Sequence, residues 1–351
     1  MPQVLLLGIS GLDADLLRVY GPSLPNLRRL MLASPFLDIN STIPPEPVPA
    51  WVSVYTGLNP ANHGMLASMD CLERTPPDTQ DFHEELFWEK AARAGKRVCV
   101  LNPLIIAEQS LEGLMLVPST PCPLEGHQTQ LLTEAFPALL DEPLIPPASQ
   151  LPTFCKTLQE RTEKQVATGL EILAREPWDL FFMQLDALDH VQHFLWRYSD
   201  PGDPMYPGKN EHANRILEFY QFFDKIVGRF RAAIEGSECV LGVVSSHGHE
   251  RRCIYRLHIN EWLREQSFLL PAGRARVQKT QKHASKVTGS SYLSGLGSWL
   301  TRCFFWSKGA VRKRHSIDPQ QTIAQLVELA SATSSYGGIT INHELLEREQ
   351  R

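Results

Sequence analysis

The sequence predicts an α/β protein with a mostly parallel sheet flanked by helices, and three observations carry that expectation. First, four short apolar runs lack polar alternation, Val4–Ile9, Val98–Leu101, Leu180–Leu185 and Val240–Val244, as strands buried on both faces require. Second, helical patterns lie between them: Asp81–Ala94 ending at Gly95, Phe154–Arg175 ending before Pro177, and Glu211–Ile234 ending at Glu235-Gly236. In the last of these, Leu217, Tyr220, Ile226, Val227 and Phe230 are spaced for one face. Third, three of the runs are followed at once by polar residues: Ser10-Gly11-Leu12-Asp13, Asp186 to His193, and Ser245-Ser246-His247-Gly248-His249. Right-handed crossovers bring the carboxyl ends of parallel strands to one edge, where open α/β sheets place their sites.

The loop before the second run has its own character. From Ile43 to Met65 it carries Pro44, Pro45, Pro47 and Pro49 and is expected to feed a helix at Ala50-Trp51, with dihedral angles fixed and backbone donors removed by proline.

Charge is distributed unevenly. The 351 residues carry 34 basic and 39 acidic side chains for a net charge of -5, which argues against nucleic acid as a partner. Between 271 and 317 there are ten basic residues and no acidic one, so the rest of the chain has a net charge of -15. This stretch reads as a basic insertion, or cap, on an acidic body. Its aromatic segment Tyr292 to Trp306 suits either packing on that body or contact with an anionic membrane surface or protein partner. The seven cysteines are scattered, without a C-x-x-C pair, and Cys99 and Cys239 fall in expected buried strands, so free structural thiols are expected. Met1 leads straight into Val4–Ile9 with no basic leader, and no apolar run reaches about 18 residues. A cytoplasmic protein is therefore expected, with peripheral membrane association through 271–317 as an alternative.

Several stretches, taken in order, resemble the type I phosphodiesterase/nucleotide pyrophosphatase branch of the alkaline phosphatase superfamily. They are Gly8-Ile9-Ser10-Gly11, Leu24-Pro25-Asn26-Leu27-Arg28-Arg29-Leu30, the block from Pro44 to Met65, Asp189-His190-Val191-Gln192-His193-Phe194-Leu195-Trp196, and Ser245-Ser246-His247-Gly248 followed by Ile259 to Leu263. A later match runs from Tyr336 to Asn342. The resemblance implies an alkaline-phosphatase-like core over 1–270, the basic insertion over 271–317 and a shortened return segment over 318–351.

It also implies a two-metal hydrolase, in which paired cations about 4 Å apart clamp an ester while a threonine or serine attacks. Asp189 and His193 would hold one cation with a histidine supplied further toward the carboxyl end, a position this sequence does not reach before Arg351. The other cation would be held by His247, by aspartates where this chain has Ser10 and Ser246, and by a nucleophile where it has Pro47. Proline offers no nucleophilic atom, and neutral hydroxyls are poor substitutes for carboxylates.

The expectation is thus a divergent, pseudoenzyme-like member that has lost two-metal ester hydrolysis, with its cleft used for a small or anionic ligand or for a repurposed reaction. The alternative is a weak phosphate or sulfate ester hydrolase with a residual Asp189, His193 and His247 site holding one zinc, manganese or iron. Metal-free acid/base chemistry would fall to Glu46 and His247, with His249 and Asp189 as helpers. His249 also reads as surface, because Glu250, Arg251 and Arg252 follow it. Asp13, three residues past Ser10, is expected in the first turn of a helix and pointing elsewhere. His63 is expected to support its loop, Asp186 to sit behind the site or cap a strand end, and His190 and His258 to be local.

Overall fold

The computed structural model describes residues 2–65, 84–105, 111–117, 146, 148–251, 259–270, 322–327, 338–343 and 345–346. The basic segment 271–317, its aromatic stretch and His258 lie outside the described residues. The chain divides into two units, Met1–Tyr255 with Leu329–Tyr336, and Arg256–Glu328 with Gly337–Arg351.

The first unit is built on five parallel strands: β1 (Gln3–Ile9), β2 (Val98–Leu101), β3 (Leu114–Val117), β4 (Leu180–Leu185) and β5 (Cys239–Val244), in the order β3-β2-β4-β1-β5. The fold class is the expected one. Side chains alternate across the sheet. Leu5, Leu7, Ile9, Cys99, Leu101, Phe181, Met183 and Leu185 pack on one side, against α1 (Ala14–Tyr20), α2 (Pro25–Ala33), α6 (Leu151–Arg175), α7 (Ala187–Ser199) and α8 (Arg215–Ala233). Val98, Val100 and Phe182 pack on the other, against Trp51 and Tyr55 of α3 (Pro47–Thr56), which the short α4 (Pro60–His63) follows, and Trp88 of α5 (Phe87–Arg93). Both faces are covered, which is why β1, β2 and β4 read as mostly apolar runs without polar alternation, Gln184 being the polar exception inside β4.

Four expectations are corrected. β3 carries the short run Leu-Met-Leu-Val and was not anticipated. β5 is not buried on both faces: Val240 is 55% exposed and Cys239 only partly buried, because β5 pairs with β1 alone among the described residues and α3 and α5 sit over the centre of the sheet. The helix expected from Asp81 starts at Phe87, where the Glu89 carboxylate accepts from the Leu86 backbone N–H at 3.0 Å and fixes the first turn. Within the proline-set loop, α3 begins at Pro47 and not at Ala50, since proline costs nothing in a first turn whose N–H groups have no partner.

Helix α2 shows how distant residues complete an element. Its N-cap residue is Leu24, whose side chain has no acceptor. Asp224, buried on α8, supplies one instead, accepting from Leu27 N at 2.7 Å and from Asn26 Nδ2 at 2.9 Å. Burial pushes the Cys99 thiol up to about 11, so it is inert near neutral pH.

In the second unit, α9 (Ile259–Glu265) and the antiparallel pair β6 (Ala324–Val327) and β7 (Gly338–Ile341) are described. Leu263, Leu269 and Ala324 form a small cluster there. No described helix is long and apolar enough to cross a membrane.

Candidate metal and ligand site

Register places the three chemistry-bearing strand ends side by side. Ile9 pairs with Leu185 and Gly8 with Val244, so Ser10, Asp186 and Ser245 leave the sheet together. Helix α7 starts one residue past β4 with Asp186 at its N-cap, which puts Asp189 in its first turn and His193 one turn later.

Asp189 is buried, and its Oδ1 lies 3.4 Å from His193 Nε2 and 3.7 Å from His249 Nδ1. The ligand atoms of Asp189, His193 and His249 all lie within 4.8 Å of one another. Burial alone would raise the Asp189 carboxyl, but His193 and His249 outweigh it and hold it well below the usual carboxylate range. Burial lowers the His249 imidazole, Asp189 works against that, and His193 adds to the lowering. The sequence brought Asp189 and His193 into view; His249 joins them, although its charged neighbours read as surface. Arg251 is not simply solvated: its guanidinium pairs with Asp200 at 2.8 Å.

His247 lies outside that group. Its Nδ1 stands 2.9 Å from the Gly248 carbonyl, so Nδ1 carries the hydrogen and donates. Nε2 then presents a buried lone pair with no hydrogen-bond partner among the described residues. Ser246 Oγ is buried and likewise without one. Glu46 is the half-buried N-cap residue of α3, and Pro47 is the first residue of that helix.

Ser10 is committed elsewhere. Its hydroxyl donates to Asp186 Oδ1 at 2.5 Å and accepts from Trp51 Nε1 at 2.8 Å. Gln184 Nε2 also donates to Asp186 Oδ1, at 2.8 Å, while Tyr55 donates to Gln184 Oε1 and accepts from Leu104 N. Every donor in this chain of bonds ends, directly or through a neighbour, on one carboxylate. Asp186 therefore sits behind the site, joined to Ser10. Asp13 is the N-cap of α1: Oδ1 accepts from Asp15 N and Leu16 N, and Oδ2 from His249 N at 3.2 Å. That cap position, just outside the helix, corrects its expected place in the first turn. It bonds the His249 backbone, where a role elsewhere was expected. The Nδ1 atom of His190 is buried without a partner among the described residues.

His63 braces the turn after α3. Nδ1 accepts from Met65 N at 3.1 Å, and Nε2 lies 2.9 Å from Ser53 Oγ, an arrangement that suits the neutral ring. Burial lowers its pKa below the ordinary 6.5. As pH falls below about 6.5 the unfolded chain takes up a proton that the native ring refuses, so the stability contributed by this group is present above that pH and lost as acid approaches the lowered native value. Urea midpoints measured from pH 7.5 to 4.5 should fall less steeply for His63→Gln than for the parent; parallel curves would show that His63 is not coupled to folding.

The arrangement joins a carboxylate and imidazoles at a parallel strand edge. No curated protein matches the chain. Murine ectonucleotide pyrophosphatase/phosphodiesterase 5 is similar in structure at 16% identity, over 77% of this chain and 63% of that one, with a TM-score of 0.46. Phosphonoacetate hydrolase from Sinorhizobium meliloti is similar at 20% identity, over 76% and 62%, with a TM-score of 0.49. The chain thus spans about three fifths of the length of these structures. The family model described as type I phosphodiesterase/nucleotide pyrophosphatase matches residues 4–294. With that match over most of its length, the chain belongs to the type I phosphodiesterase/nucleotide pyrophosphatase family of the alkaline phosphatase superfamily.

Proposed function

We propose that this member does not run two-cation ester hydrolysis and uses the strand-end cleft to bind a small anionic ligand. The observation that carries this reading is the commitment of Ser10. Cation ligands at a strand end need free, preferably anionic, oxygens. The oxygen that ends β1 is instead locked between the Trp51 indole and Asp186. The other two family positions offer the neutral Ser246 hydroxyl and a proline with no nucleophilic atom. These residues do not fit a second cation.

Asp189 and His193 do fit one cation, as a buried carboxylate and an imidazole on one helix face. Such an ion supplies Lewis acidity toward a ligand oxyanion. The chain's own groups then orient that ligand: His247 Nε2 accepts a proton from a ligand hydroxyl, and Ser246 Oγ donates to an oxyanion. His247, with its tautomer set by Gly248, is also the better of the two acid/base candidates, Glu46 being the other.

Hydrolysis of bis(p-nitrophenyl) phosphate, p-nitrophenyl phosphate and p-nitrophenyl sulfate, with and without zinc or manganese, tests the proposal. The expected result is no release above that of buffer plus metal, together with binding of inorganic phosphate by calorimetry. Saturable, metal-dependent turnover that disappears in Asp189→Ala would overturn it.

A further inference from the structure

The distances around Asp189 have a property that hydrogen bonding does not explain. At 3.4 and 3.7 Å, the His193 and His249 nitrogens are too far from Oδ1 for good hydrogen bonds, whose N···O separations run to about 3.2 Å. Oδ1 is buried and has no hydrogen-bond partner among the described residues. A buried carboxylate oxygen left in that state is costly unless something binds it. A tetrahedral cation with bonds of about 2.0–2.2 Å sets its ligand atoms roughly 3.3–3.6 Å apart. The two separations at Asp189, 3.4 and 3.7 Å, lie within and just beyond that range, and all three ligand atoms fall within 4.8 Å of one another, close enough to converge on a shared ion.

The geometry points to a single divalent cation, of the zinc class, held by Asp189, His193 and His249, with His249 as its third protein ligand. Two imidazoles and one carboxylate are a donor set that takes zinc, iron or manganese with open positions. Burial is graded in a way that leaves an entrance: the side chains of Asp189 and His249 are 5% and 12% exposed, that of His193 45%. The fourth position therefore opens to solvent beside His193. This inference rests on the reading above only in taking the Ser10 side as unable to hold an ion.

His249 is on a loop, and a loop ligand is useful only if it is held in place. Three contacts hold it. Its backbone N–H donates to Asp13 Oδ2, on the carboxylate that also caps α1. Two residues on, Arg251 grips both Asp200 oxygens, at 2.8 and 3.2 Å, at the carboxyl end of α7, the helix that carries the other two ligands. The Trp196 ring, also on α7, lies against the imidazole with centroids 5.2 Å apart. Asp13, Asp200 and Arg251 are thus positioning residues for the third ligand.

The test is zinc binding by the full chain after dialysis against chelator, read by competition with a chromogenic chelator and by mass spectrometry of bound metal. The expected result is one equivalent per chain, an affinity loss of at least about 100-fold in His249→Ala, and partial recovery in His249→Asp, which supplies a carboxylate donor in place of the imidazole. Unchanged affinity in His249→Ala, or no zinc bound by the parent, would overturn the assignment. Should the alanine variant fail to fold, the parent still decides: imidazole 15N resonances of both His193 and His249 shift on zinc addition, and a silent His249 overturns the proposal. Ester turnover is scored separately, so an active hydrolase would refute the function proposed above without touching this site.

Discussion

Trp51→Ala is expected to destabilise the first unit by about 3–5 kcal/mol, a large part of the roughly 5–15 kcal/mol that holds a domain together. Trp51 is fully buried on the central strands, stacked on Tyr55 at 5.8 Å and edge-on to Phe182 at 6.4 Å. The sheet is shaped for it: a Cβ on Gly8 would sit 2.7 Å from the indole Cη2. Its N–H also closes the Ser10 network, so truncation opens a cavity and removes a buried donor together. Trp51→Phe separates the two effects, keeping most of the apolar surface and losing the N–H at a cost of about 1 kcal/mol. Urea unfolding followed by far-ultraviolet circular dichroism measures both. If alanine costs no more than phenylalanine, the indole does not carry the packing assigned to it.

Gly11→Ala is expected to cost about 2–5 kcal/mol and to weaken the cation site. Gly11 has φ +74°, a conformation in which a side chain costs about 1–2 kcal/mol. A Cβ there would also meet Gln192 Nε2 at 2.7 Å and the Asp189 Cα at 2.9 Å. The second contact is backbone and cannot rotate away, so α7 must shift from the turn that follows β1, adding about 1–3 kcal/mol of overpacking. Gly57→Ala is the control, since Gly57 has φ +76° with nothing within 4 Å of its Cβ direction. The difference between the two variants isolates the collision. Equal stability loss in both, with zinc affinity unchanged in Gly11→Ala, would show that the approach of the turn after β1 to α7 does not set the site.

Much of the fold was legible because its central strands are covered on both faces and so appear as apolar runs without polar alternation that end in polar residues. Leu114–Val117 escaped because a run of four residues is too short to show a period, even though Gly113 and Pro118 bound it. β5 was taken as buried because its composition matches the central strands, and composition does not reveal which strand lies at an edge. In the candidate site, the Asp189 and His193 spacing was visible as a shared helix face. His249 was harder to see, because the charged run after it reads as solvated until Asp200 is found beside Arg251. The locking of Ser10 by Trp51 depends on residues 41 positions apart, one on a helix and one at a strand end, meeting in the fold, and no local pattern signals it.

The strand order has a consequence for synthesis. β1 lies between β4 and β5 and has no other strand neighbour, and its contact from Gln3 to Trp178 spans 175 residues. At roughly 5–20 residues per second, the ribosome takes on the order of 9–35 s to deliver β4 after β1. Throughout that interval Leu5, Leu6 and Leu7 have no sheet to join, so the growing chain carries an exposed apolar strand of the kind that chaperones bind and that aggregates form around.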